Sequence, residues 1–247
     1  MEINNFDIIR EHLTFEKAKK FDPNAGNVAE INDTYDRYIV QILQRKKDQV
    51  VQIGANTSNR LIKTYEISSL EYFDKKKDTI IDLCRSNNAR AYILPQVRST
   101  YDCLKEMIKL GVDNLENPTI KFQHILRSCM CSMHKSRDKM WILDCDNDGL
   151  TEYIKHTGFP HDQIEKKPWT VGKLLEIVRE ELKACGKDSN YPYIVPSRNG
   201  CSIVTRPFNL KSAYSKCGLF YEGEHKIDGR KITGILHKDG MVNLYIP

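Results

Sequence analysis

The alternation of apolar and polar positions divides the chain into short strand-like and helix-like segments with few breaks between them. Tyr38-Ile39-Val40-Gln41-Ile42-Leu43 is rich in β-branched and aromatic residues and ends in the basic turn Arg45-Lys46-Lys47-Asp48. Arg60 to Ile67 alternates with a period of two, which predicts the hairpin partner of that strand. Ser69 stands where a helix needs an N-cap. Leu70, Phe73, Ile80, Ile81 and Leu83 then fall roughly on one face of a helix predicted to run to about Cys84. A strand from Ala89 to Leu94 and a helix from about Ser99 to Leu110 follow.

The second half repeats this rhythm. Thr119 to Met133 carries Phe122, Ile125, Leu126 and Met130 at helical spacing, and Met140 to Leu143 is a short apolar strand ending in acids. Thr170 caps the strongest amphipathic pattern, Val171 to Cys185, with Leu174, Leu175, Ile177, Val178 and Leu182 turned inward. Tyr193-Ile194-Val195 and Ser202-Ile203-Val204-Thr205 are β-prone runs joined by a Gly-bearing turn, and Asn243 to Pro247 predicts a closing strand. Interleaved helices and hairpins predict an α+β fold, with mixed or antiparallel sheets flanked by helices. Seams are expected at 114–118 and 187–190. The first separates an N-terminal subdomain, 1–117, from a second, 118–247, the two packing as one domain.

Composition excludes several classes. A chain of 247 residues can bury a sizeable core, and 40% hydrophobic with 29% charged residues is a globular balance, not a disordered one. No apolar run approaches the roughly 20 residues of a membrane span. The opening Met1 to Asp7 lacks the basic and apolar regions of an export signal. A cytoplasmic protein without membrane partners is therefore expected, its eight cysteines free thiols. The basic excess, 38 against 33, is compatible with a nucleic-acid partner without requiring one. Neither G-x-G-x-x-G, G-x-x-x-x-G-K-[ST] nor G-x-S-x-G occurs, which argues against Rossmann, P-loop and α/β-hydrolase chemistry.

The sharpest chemical feature is Trp141-Ile142-Leu143-Asp144-Cys145-Asp146-Asn147-Asp148-Gly149. In a strand Asp144 and Asp146 leave the same face about 7 Å apart, a spacing at which two carboxylates can share Mg²⁺ or Mn²⁺ and align a triphosphate. Two other readings of the string stand beside this one. It opens like an EF-hand loop, but its twelfth position is Lys155, where a bidentate Glu is required. The acids could also simply cap the turn after the strand.

A second feature, Ile194 to Phe208, would present Arg198 and Arg206 near its turn, where guanidinium groups hold phosphates or are merely solvated. Cys129-Met130-Cys131 with His134 invites zinc if Cys84, Cys103 or Cys145 completes the set, although buried cysteines that pack as small hydrophobes explain it as well. Arg45, Lys46 and Lys47, with Lys75, Lys76 and Lys77, read either as a solvated face or as a nucleic-acid contact. Arg90 and Arg98 could line the same groove.

The order of an acidic strand end, an amphipathic helix, and a strand with Pro196-Ser197-Arg198-Asn199-Gly200 before an apolar strand resembles the archaeo-eukaryotic primase superfamily. More narrowly, it resembles primase-like proteins of phages and mobile elements of gut bacteria. Val40 to Asp48, Asn88 to Ile93, His237 to Gly240 and Leu244 to Pro247 extend the likeness over most of the chain. The resemblance implies an RRM-like catalytic core in which Asp144 and Asp146 hold the metal. Arg198, Ser202 and Arg206 would contact a nucleoside triphosphate, and Arg45, Lys46 and Lys47 the template strand. Two positions depart from the pattern. Ser202 stands where a histidine contacts phosphate, and Ile235 where a late aspartate binds metal, with Asp228 and Asp239 only nearby. The expected function is a primase–polymerase-like nucleotidyltransferase of phage or mobile-element replication. The alternative is an inactive relative kept to bind nucleic acid or to serve in a replisome or virion.

Overall fold

Two larger sheets organise the chain, one in each of two units: Met1–Lys139 with Asn243–Pro247, and Met140–Val242. The computed structural model describes residues 2–15, 18–22, 27–31, 36–46, 59–113, 129, 139–146, 150–155, 164–187, 190–227, 230–238 and 240–247. The predicted helix at 119–133, save Cys129, and the seam at 114–118 lie outside these residues.

The first unit runs β1 (Ile3–Asn4), α1 (Phe6–Arg10), the hairpin β2 (Ala18–Asp22) and β3 (Asn27–Ile31), β4 (Asp36–Gln44), β5 (Arg60–Ile67), α2 (Leu70–Ser86), β6 (Arg90–Ile93), β7 (Arg98–Ser99) and α3 (Thr100–Asp113). Its sheet has the order β1, the closing strand Val242–Ile246, β6, β4, β5, with β7 pairing the start of β4. The predicted hairpin partners β4 and β5 are antiparallel, Tyr38 opposite Ile67. Consecutive residues Ile39 and Val40 point to opposite faces and both are fully buried, so β4 is covered on both sides.

Ser69 caps α2 as expected, its hydroxyl accepting from the Tyr72 N–H at 3.0 Å. Phe73, Ile80, Ile81 and Cys84 form its buried face. Asn88 turns the chain out of α2 at φ 45°, a left-handed conformation that asparagine tolerates. The chain ends are tied to α2 through Arg85, which donates to the Tyr245 hydroxyl at 2.9 Å and to Glu2 at 3.0 Å.

The second unit runs β8 (Trp141–Asp146), the hairpin β9 (Thr151–Lys155) and β10 (Ile164–Pro168), α4 (Val171–Ala184), β11 (Tyr193–Ser197), β12 (Gly200–Thr205), α5 (Leu210–Lys216), the hairpin β13 (Glu224–Ile227) and β14 (Arg230–Thr233), and β15 (Leu236–His237); β16 is the closing strand Val242–Ile246. Its main sheet has the order β11-β12-β8-β15 with every pairing antiparallel. Without the two small hairpins this is β-α-β-β-α-β: β8-α4-β11 and β12-α5-β15 are split βαβ units, the ferredoxin-like arrangement.

The Thr170 hydroxyl caps α4 by accepting from Lys173, and the Asn209 carboxamide caps α5 by accepting from Ser212. The predicted inward residues Leu174, Leu175, Ile177, Val178 and Leu182 are all buried. They pack with Leu143, Cys145, Ile203 and Leu236 from the strands and with Phe208, Ala213 and Phe220. Each such large apolar side chain contributes about 2 kcal/mol by leaving water. One carboxylate enters this packing. Glu181, 3% exposed, accepts from the Ser212 hydroxyl at 2.7 Å and from Lys216 at 2.9 Å. Among the described residues no helix is long and apolar enough to cross a membrane.

Candidate active site

β8 extends three residues beyond the predicted Leu143, so both acids lie inside the strand. Trp141, Leu143 and Cys145 belong to the face packed by α4 and α5; Ile142, Asp144 and Asp146 leave the opposite face. Asp144 and Asp146 are exposed while Leu143 and Cys145 are fully buried. The chain that follows forms β9, with Lys155 as its last residue, so the string opens a strand pair and not the helix–loop–helix of an EF-hand.

On β12, Ser202 lies directly opposite Asp144 and Gly200 opposite Asp146, so one ladder brings these four residues together on the face turned away from the helices. Ser202 is 5% exposed. Gly200 is not in the left-handed region, and the turn itself consists of Arg198 and Asn199. The glycine is needed for space: a Cβ there would overlap the Cys145 carbonyl and stand 3.0 Å from the Asp146 Cα. The expected Gly turn is thus a close approach between strands. Exposed Arg198, two residues before Gly200, is at the acid end of the sheet.

Arg206 is not at that end. It follows Thr205, which pairs with Trp141 at the far end of β8. At about 3.3 Å per residue the intervening strand separates it from the turn by roughly 20 Å. Its guanidinium lies over the Tyr191 ring, 5.3 Å from the centroid. The expectation that Arg198 and Arg206 share the turn fails because the return strand runs straight to Thr205.

Ile235 stands beside Asp144, the Asp144 N–H donating to its carbonyl at 2.8 Å, but its side chain is part of the apolar core. Asp228 and Asp239 lie outside the described residues. Among the described residues no group of three or more His, Cys, Asp and Glu is placed to hold a metal. The two carboxylates are still suited to Mg²⁺ or Mn²⁺, which take hard oxygen donors and accept one or two carboxylates when substrate phosphates complete the shell.

The other candidates separate from this site. Cys129 is buried, and the Cys103 thiol points to its carbonyl oxygen at 3.8 Å; Cys131 and His134 lie outside the described residues. Cys84 is packed in the first unit, where burial pushes its thiol up to about 12. Arg45 is half-buried with its guanidinium 3.5 Å from the Tyr92 hydroxyl, Lys46 is exposed, and Lys47 is outside the described residues. Lys77 pairs with Asp7 at 3.0 Å and Lys76 lies over the Tyr72 ring, so two of the 75–77 lysines lean on their own unit. Arg90 and Arg98, at 5% and 1% exposure, are buried and do not line a groove.

One feature of the site is invisible in the sequence alone: Cys145 and Cys201 face each other across β8 and β12 on the core side. Only the strand register pairs them; the signal available was a cysteine in each of two apolar strands. Comparison of the chain with protein-family models, curated proteins and solved structures found no match.

Proposed function

We propose that the second unit is a primase–polymerase-like nucleotidyltransferase core. The observation that carries this reading is the Asp144–Ser202 pair. The acid is near the end of the first strand of a β-α-β-β-α-β sheet and the hydroxyl is on the third, directly opposite, on the face free of α4 and α5. That is the order in which the resemblance sets its first two motifs. Asp144 and Asp146 would hold the divalent ion, and a bound Mg²⁺ or Mn²⁺ would neutralise charge on a triphosphate. Arg198 at the acid end supplies a fixed positive charge for phosphate oxygens. Arg45 and Lys46, in the first unit, would contact a template backbone, with binding that weakens as salt rises.

A second reading rests on two specific observations. Ile235 contributes no ligand beside Asp144, and Ser202 is nearly closed to solvent. Both fit a primase-fold chain that binds nucleic acid or serves a phage replication or virion assembly without catalysis.

The test incubates the chain with Mn²⁺ or Mg²⁺, labelled nucleoside triphosphates and either single-stranded DNA or a primed template, beside Asp144→Asn. Calorimetry of Mn²⁺ binding accompanies it. The enzyme reading expects metal-dependent product, at least 100-fold less in the variant on the scale of one lost charge-stabilising group (about 10²–10³), and weakened Mn²⁺ binding. No product from a folded wild type that still shifts DNA in a gel selects the second reading.

A further inference from the structure

Cys145 on β8 and Cys201 on β12 are direct cross-strand partners, both unlinked thiols, the first fully buried and the second half-buried. The Asp144 N–H is turned to Ile235 on the β15 side, so the backbone groups of its neighbour Cys145 are turned to β12. Residues opposed in such a hydrogen-bonded register have Cα atoms about 5.5 Å apart, inside the roughly 4.4–6.8 Å over which disulfides form. Gly200 adds a second constraint, since its missing side chain draws β12 against the Cys145 carbonyl.

The two thiols also differ in access. Cys145 is fully buried and Cys201 half-buried, so Cys201 is the thiol that an oxidant in solution can reach, and Cys145 faces it from the neighbouring strand.

We propose that Cys145 and Cys201 form a reversible cross-strand disulfide by exchange with a small-molecule disulfide such as oxidised glutathione. The bond ties β8 to β12 beside the acid pair. The Cys201 thiolate attacks one sulfur of the oxidant, expelling one glutathione thiolate and leaving a mixed disulfide. Cys145 then gives its proton to solvent and attacks the Cys201 sulfur, expelling the second thiolate. Two protein S–H bonds are lost and one S–S bond forms, while the oxidant is reduced to two thiols that take up the protons. The step is independent of what the acid pair binds.

The test equilibrates the full chain, reduced at the start, in glutathione buffers from fully reduced to fully oxidised. Samples are acid-quenched, unfolded, alkylated and digested for peptide mapping by mass spectrometry, with circular dichroism reporting the fold before quenching. The expected result is a linked Cys145–Cys201 peptide pair that accumulates while the chain stays native and disappears on adding dithiothreitol. Cys201→Ser abolishes the link, and Cys145→Ala stalls at a glutathione adduct on Cys201. The wild-type map decides the matter even if the Cys145 variant does not fold. Separate alkylation of both cysteines across the whole range, a wild-type adduct on Cys201 that never resolves, or a link formed only in unfolded chain would overturn the proposal.

Discussion

β4 and β8 are central strands of antiparallel pairings, and they use the same two-residue period to opposite ends. In β4 the period carries apolar residues to both faces, Ile39, Val40 and Ile42 all fully buried. β6 beside it is buried at every position, Arg90 included. In β8 the period carries Leu143 and Cys145 into the core and Asp144 and Asp146 out of it. A strand sealed on both faces stabilises but offers no reactive group to a ligand. A strand sealed on one face at its end becomes a mount for chemistry, because its alternate residues cost nothing to leave polar.

Substitutions at neighbouring positions separate the two strands most sharply. Ile39→Ala and Val40→Ala should each destabilise by about 2–4 kcal/mol, since either removes buried methyl groups from a close-packed site. At the acid end of β8 only alternate positions should behave so: Leu143→Ala should cost about 3 kcal/mol, and Asp144→Asn less than about 0.5 kcal/mol. Urea denaturation with a constant m-value is the measurement. Comparable losses at Leu143 and Asp144 would remove the distinction between the strands.

A smaller effect, about 2 kcal/mol, is expected from Gly200→Ala, which must push β12 away from the Cys145 carbonyl. Because the displaced backbone is that of the acid pair, Mn²⁺ binding should weaken together with the thermal midpoint. A loss of stability with metal binding intact would place the strain elsewhere.

The mildest expectation concerns acid. Burial pushes the Glu181 carboxyl up, yet the Ser212 hydrogen bond and the Lys216 ammonium together hold it below its ordinary 4.5. A carboxylate lowered in the folded state adds stability that is fully present above its unfolded value and is lost as pH falls below about 4.5 toward the folded one. Lys216→Met leaves burial opposed by Ser212 alone, so the folded value rises and acid unfolding should begin at higher pH. A circular-dichroism pH titration that superimposes on wild type would refute this.

Local pattern disclosed most of the individual elements. Ser69, Thr170 and the inward stripe of α4 are short-range signals, complete within a few residues, and their caps and buried faces form as the spacing predicts. Asp144 and Asp146 were legible for the same reason, since a strand's alternation needs no partner. What required tertiary information was not legible. The short strands β1 and β15 and the β13–β14 hairpin carry too few residues to show a period. Sequence proximity places Arg206 at the turn but the length of β12 carries it away, and charge places Arg90 and Arg98 at a surface although both are buried. The Ser202–Asp144 and Cys201–Cys145 pairings exist only through register, which no single strand encodes.

The last residues of the chain complete the sheet made by the first. Asn243–Pro247 belongs with Met1–Lys139, and β16 lies between β1 and β6, Ile246 opposite Ile3. During synthesis, then, β1 waits for its neighbour through the making of more than two hundred residues. The first unit cannot close its sheet until Asn243–Pro247 has been made, whereas Met140–Val242 is contiguous in sequence. A released chain cut after Val242 would keep every strand of the second unit while leaving β1 and β6 of the first without the strand between them, an open sheet edge.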